Sequence, residues 1–162
     1  MSCAAPADAY LHARLAGAIE SELHWSGSAL GCDGMRRPDG RGLRVTFSGP
    51  LKGEHLTLVF GIPRLAEGAG GHALPVNVTL IREGKSVYGT RGVDKCTLDQ
   101  VRQARLARAP LDGARHWTID ARGFCLEPAR AVQGRDAILL ARFEFRGSVT
   151  WEPVTPDAPA AR

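Results

Sequence analysis

Lysine is nearly missing from this chain. Lys52, Lys85 and Lys95 are the only three, so the 21 basic residues are almost all arginine. A basic stripe of the kind that tracks a phosphate backbone is missing as well. The densest basic stretch, residues 91–115, is interrupted by Asp94, Asp99 and Asp112, which argues against nucleic-acid binding. No apolar run approaches the roughly 20 residues that a membrane-spanning helix needs. No cysteine pair has the C-x-x-C spacing of a zinc ribbon or a thioredoxin-like centre. The five histidines form no H-x-H or H-x-x-x-H pair, so no local metal motif exists. G-x-S-x-G, S-x-x-K and H-E-x-x-H are all absent, which removes the common hydrolase signatures. No internal repeat is present.

What is there is glycine and proline. The chain has 162 residues, of which 19 are Gly and 10 are Pro. That share exceeds average usage and, without a long helical pattern, favours many short strands joined by turns. The length fits one domain with a real core. A 44% hydrophobic and 23% charged composition excludes a wholly disordered chain, a coiled coil and a collagen-like fibre. The formal net charge of +4 is spread over dispersed arginines and reads as a solvated surface.

Between the turn signals, apolar residues alternate with polar ones, the period of a half-buried strand. Residues 18–26 place Ile19, Leu23 and Trp25 on one face and Glu20, Glu22 and His24 on the other. Leu43, Val45 and Phe47 form a second strand, and Leu56, Leu58 and Phe60 a third, joined as a hairpin through Gly49-Pro50 and Gly53. Val76, Val78 and Leu80 follow, and Glu83-Gly84 turns into residues 86–90. Trp117, Ile119 and Ala121 lead to Cys125. Leu139, Ala141, Phe143 and Phe145 are expected on one face of the clearest strand, with residues 148–151 as a further short one. Residues 26–42 read as a long loop. Residues 98–108 are ambiguous: Cys96 and Leu98 start a strand, while Thr97-Leu98-Asp99-Gln100 fits a capping box opening a short helix. The expectation is an all-β, single antiparallel sandwich of jelly-roll or immunoglobulin-like type, with eight or nine strands over residues 18–151. An N-terminal tether or short helix would occupy residues 1–17, and a Pro-rich disordered tail residues 152–162.

An even cysteine count in a turn-rich β-protein suits an oxidising compartment. Cys96 and Cys125 lie in strand-like segments separated by one connection and are expected to pair, closing a loop of about 30 residues. Cys3 and Cys32 would be the second pair. Cys3 has another reading. Cys3-Ala4-Ala5-Pro6 resembles the start of a mature bacterial lipoprotein, whose cysteine carries lipid, and Cys32 would then stay unpaired. The compartment expected is periplasmic, outer-membrane-anchored or secreted, with contact to membrane only through that anchor.

Each remaining motif has an ordinary explanation. Gly84-Lys85-Ser86 ends like a phosphate loop, but the first glycine of the motif, five positions before Gly84, is absent. Asn77-Val78-Thr79 is a glycosylation sequon inside a strand. Asp33, Asp39 and Asp94 sit in Gly-rich turns without the D-x-D-x-D-G calcium pattern. No cofactor is expected. The favoured reading is a non-enzymatic binding domain with a protein partner. The contact region is Met35-Arg36-Arg37-Pro38 or residues 101–111, with Arg36, Arg37, Arg105 and Arg108 as candidate contacts. Trp25, Trp117 and Trp151 raise a carbohydrate surface as one alternative. A hydrolase using His24, His55 and Glu54 across strands is the other.

Overall fold

Period-2 alternation becomes buried strand faces in the computed structural model, which describes residues 6–91, 95–106 and 113–152. Among the described residues, twelve strands run in one hydrogen-bonded system: β1 Tyr10–Gly17, β2 Ser21–Ser26, β3 Gly31–Arg36, β4 Leu43–Leu51, β5 Glu54–Ile62, β6 Leu74–Pro75, β7 Asn77–Arg82, β8 Ser86–Gly89, β9 Cys96–Arg105, β10 Arg115–Cys125, β11 Ala129–Ala131 and β12 Ala137–Trp151. All pairings are antiparallel except β3 with β12, where Thr150 faces Met35. The expected all-β sandwich is therefore what the chain forms.

β12 organises the whole. It pairs with β1 and β10 on its two sides, with β3 near its C-terminal end and with β11 at its start. The ladder runs from β12 through β3, β4, β5, β7 and β8 to β11, and returns to β12. One layer is β2-β1-β12-β10-β9-β6; the other is β3, β4, β5, β7 and β8 with β11. Phenylalanines tie the layers together. Phe47 on β4 meets Phe145 on β12 at 4.9 Å between ring centres, and Phe60 on β5 meets Phe143 and Phe145 at the same distance. Such tilted contacts add to area burial. Trp25 on β2 lies against Gly49 on β4 and donates its indole N–H to the Pro50 carbonyl at 2.9 Å.

Five sequence expectations are corrected. The segment read as a tether or short helix at residues 1–17 contains β1, whose Leu11, Ala13 and Leu15 are buried. Their alternation is short and masked by small residues. The long loop at residues 26–42 contains β3, whose inward positions include Gly34, with no side chain to signal a strand. Residues 98–105 are strand, not helix. Arg122 pairs with Gln100 while Gly123 pairs with Leu98, so Asp99 is an extra residue in β9. That bulge sets Leu98 and Val101 three apart on the buried face, a spacing that mimics a helical stripe. In β12, Arg14 pairs with Arg142 while Leu15 pairs with Leu140, so a bulge at Ala141 shifts the phase. Ile138 and Leu140 point inward before it, Phe143 and Phe145 after it, in place of Leu139 and Ala141. Residues 148–151 continue β12 rather than forming a separate strand.

Cys96 and Cys125 face each other across β9 and β10 and form a disulfide. Cys32 is buried and also disulfide-bonded, so no described cysteine is free. Cys3, the candidate for pairing or lipidation, lies outside the described residues, as do Asp94, Arg108 and residues 153–162 of the expected tail. The disulfide points to an oxidising, extracytoplasmic compartment. Among the described residues no helix is long and apolar enough to cross a membrane.

Candidate functional site

β3 approaches β12 closely because Gly34 lacks a Cβ; one built there would fall on the Ser148 carbonyl. Further along, Met35 pairs with Thr150. Over this seam lies a groove of about 720 Å³ lined by Asp33, Gly34, Met35, Arg36, Arg37 and Thr150. His116 and Glu152 complete the far side, with His116 Nδ1 3.3 Å from Thr150 Oγ1. The turn after β3 is stiff. Arg37 N–H donates to the Gly42 carbonyl and Gly40 N–H to the Arg37 carbonyl, at 3.2 and 2.8 Å. Asp39 caps Arg41 N–H at 2.9 Å and faces the Arg37 guanidinium at 3.4 Å.

Arg36 is the central side chain. Its guanidinium lies over Trp151, 5.2 Å from the ring centre, and its Nε is buried with no hydrogen-bond partner among the described residues. It divides the groove from a second depression of about 380 Å³ bounded by Arg64, Leu65, Glu67 and Trp151. Trp151 is fixed from behind: its indole N–H donates to Gln103 Oε1 at 2.8 Å, and Gln103 Nε2 donates to the Ala66 and Ala69 carbonyls. Beside Arg36, Met35 is 39% exposed, one of few large apolar side chains to face solvent, and Arg44 Nη2 approaches its sulfur at 3.6 Å. The groove thus combines a flexible apolar anchor with a cation held by a ring rather than neutralised by an acid.

The other candidates fall elsewhere. Arg105 stacks over Trp117, 5.4 Å from the ring centre, and Val101 is core. Trp117 is enclosed on its other side by Gly68 and donates to Glu67 Oε2 at 2.8 Å. Arg115 grips Glu67 through both oxygens, and this contact, ahead of the indole hydrogen bond, holds the carboxyl below its ordinary range. Trp25 and Trp151 are 4% and 2% exposed, so the aromatic platform anticipated for a sugar does not assemble from the tryptophans.

The hydrolase trio does not converge. Glu54 is bound by Arg82 through two hydrogen bonds and by Lys85 at 3.1 Å. Those contacts push its carboxyl down to about 2. His55 faces Glu83 at 3.9 Å. His24 does meet a second histidine across strands, but it is His12 on β1, not His55. Sequence reading missed that pair because β1 was not read as a strand. Gly84-Lys85-Ser86 is the β7–β8 hairpin turn, with Lys85 N–H donating to the Arg82 carbonyl at 2.8 Å. Comparison with family models, curated proteins and solved structures finds no match to this chain.

Proposed function

We propose that this chain is a non-enzymatic binding domain of the bacterial periplasm or cell envelope. It grips a protein partner in the groove between β3 and β12. The observation that carries the reading is Arg36: a guanidinium held over Trp151, with a buried unpartnered Nε, beside the exposed Met35. Arginine and aromatic or methionine side chains in a desolvated centre, with a polar rim, are the ingredients of an interaction hot spot. The partner segment that fits is acidic at one position and apolar at the next: a carboxylate for Arg36 and a side chain for Met35. Disulfides that survive outside the cytoplasm agree with the compartment.

The test is photo-crosslinking in the periplasm. A photoreactive residue at Met35 is expected to yield a discrete adduct, and one at Val87, which is 40% exposed on β8, is not. Arg37→Ala and Arg36→Ala should each weaken the Met35 adduct severalfold. Equal labelling from Met35 and Val87, or adducts indifferent to both arginines, overturns the proposal.

A further inference from the structure

The ladder from β12 through β3, β4, β5, β7, β8 and β11 closes on itself, so among the described residues the sheet ends at two places, β2 and β6. They differ in how they are guarded. β6 is two residues long, lies against Leu98 and Thr97 of β9, and includes Pro75, which has no N–H to offer a further strand. β2 is six residues long and pairs only with β1, in unbroken register from Ser21 to Ser26. Every second residue of β2 points its backbone N–H and C=O away from β1. The strand has no lysine, no proline and no bulge, and its inward side chains, Ser21, Leu23 and Trp25, carry no charge. Those are the usual means of blunting an edge.

We propose that β2 is a dimer edge, pairing with the β2 of a second copy of this chain, antiparallel about a two-fold axis at Leu23. That register sets Glu22 opposite the other copy's His24, and the axis repeats the contact. Directly opposite side chains of an antiparallel pair are within reach, and an imidazole donates an N–H to a carboxylate in either protonation state. Glu22 is placed to accept it. One of its oxygens takes Arg142 at 3.1 Å, while the other stands 3.5 Å from its own His24, beyond the usual hydrogen-bond range. On the inward face Ser21 falls opposite the other copy's Trp25, a small residue beside a large one, and Leu23 meets its counterpart on the axis. Moving the axis one residue, to His24, would set imidazole against imidazole and Leu23 against Trp25, and leave Glu22 facing Ser26. The strand is therefore complementary to itself in one register. No residue lining the groove lies on β2, so this pairing is independent of a partner at Met35 and Arg36. The shared edge is short, and the dimer exchanges with monomer.

Sedimentation velocity of the intact chain from about 10 μM to about 1 mM is the test, the range in which an interface below standard size is populated. Monomer is expected at the bottom of that range and dimer at the top. His24→Glu sets carboxylates opposite each other at both contacts and should raise the dissociation constant about tenfold. Adding Glu22→His restores opposite pairs with the roles exchanged and should bring the dimer back. Both positions are exposed, and thermal unfolding checks that the variants keep the fold. Hydrogen exchange of the unsubstituted chain reports the place independently: amides of β2 should slow as concentration rises, while Leu74 of β6 does not. A chain that stays monomeric throughout, a dimer indifferent to His24→Glu, a double variant that fails to re-associate, or slowing centred outside β2 would overturn the proposal.

Discussion

Gly123 occupies a point on β10 that no larger residue can share. A Cβ there would fall on the Thr97 carbonyl and 2.8 Å from Phe143 Cζ. The crowding follows from the bulge in β9, whose extra residue turns the strand toward its neighbour at this pair. Gly123→Ala is expected to cost about 1–3 kcal/mol, the usual range for overpacking. In urea this would appear as a lower midpoint with an unchanged slope. Tyr10 offers a second test at this scale. Burial first, then its hydrogen bond to Glu144, push its hydroxyl up to about 12. A raised phenol favours the neutral form in the folded state, so this contribution is present below the ordinary value near 10. It is lost as pH rises from there to about 12. Phenolate absorbance of the folded protein should therefore show Tyr10 titrating well above its ordinary value, and Glu144→Ala should bring it down. A Tyr10 midpoint that Glu144→Ala leaves in place would contradict the contact.

Strands with a strict period of two were legible in the sequence, and those with a bulge or a glycine at an inward position were not. Leu56, Leu58 and Phe60 alternate without interruption, so β5 could be read directly. In β9 and β12, one extra residue inverts the phase halfway along, and no local residue preference marks where. The groove shows the same division. Met35-Arg36-Arg37-Pro38 stood out as a basic, partly apolar segment, but its opposite wall, Thr150 and Glu152, comes from more than a hundred residues away. Only the parallel approach of β3 to β12 brings the two together. The Cys96–Cys125 pair was legible because its cysteines flank one connection, with a sequence separation of 29. Replacing both by alanine is expected to cost about 3 kcal/mol by the chain-entropy model. The denaturant slope should rise, since the unfolded chain loses a constraint and expands. An unchanged slope and midpoint would mean that pairing along β9 and β10 alone sets the stability of this end.

At the scale of the whole molecule, the return of the ladder from β11 to β12 matters more than any single strand. It covers strand edges that would otherwise invite association, yet it depends on three residues of β11. Much of the ion pairing stitches neighbouring strands: Glu54 to Arg82 across β5 and β7, Asp120 to Arg146 across β10 and β12. Stability should consequently depend on acid. Hydrogen bonds from Arg82 and then Lys85 lower Glu54 from 4.5 to about 2. A lowered carboxyl stabilises the fold above its unfolded value and loses that contribution as pH falls through the folded one. Glu67, lowered by Arg115, acts in the same direction. The chain is already cationic, at +4, so each protonated acid also adds to its self-repulsion. Thermal midpoints are thus expected to hold above about pH 5 and to fall between roughly pH 4.5 and 2. Added salt should recover the part due to net charge, while the part due to Glu54 remains because its partners are in direct contact. Glu54→Gln separates the two: it should lower stability at neutral pH and flatten the acid limb. An acid limb as steep as the wild type's would assign the loss to net charge alone.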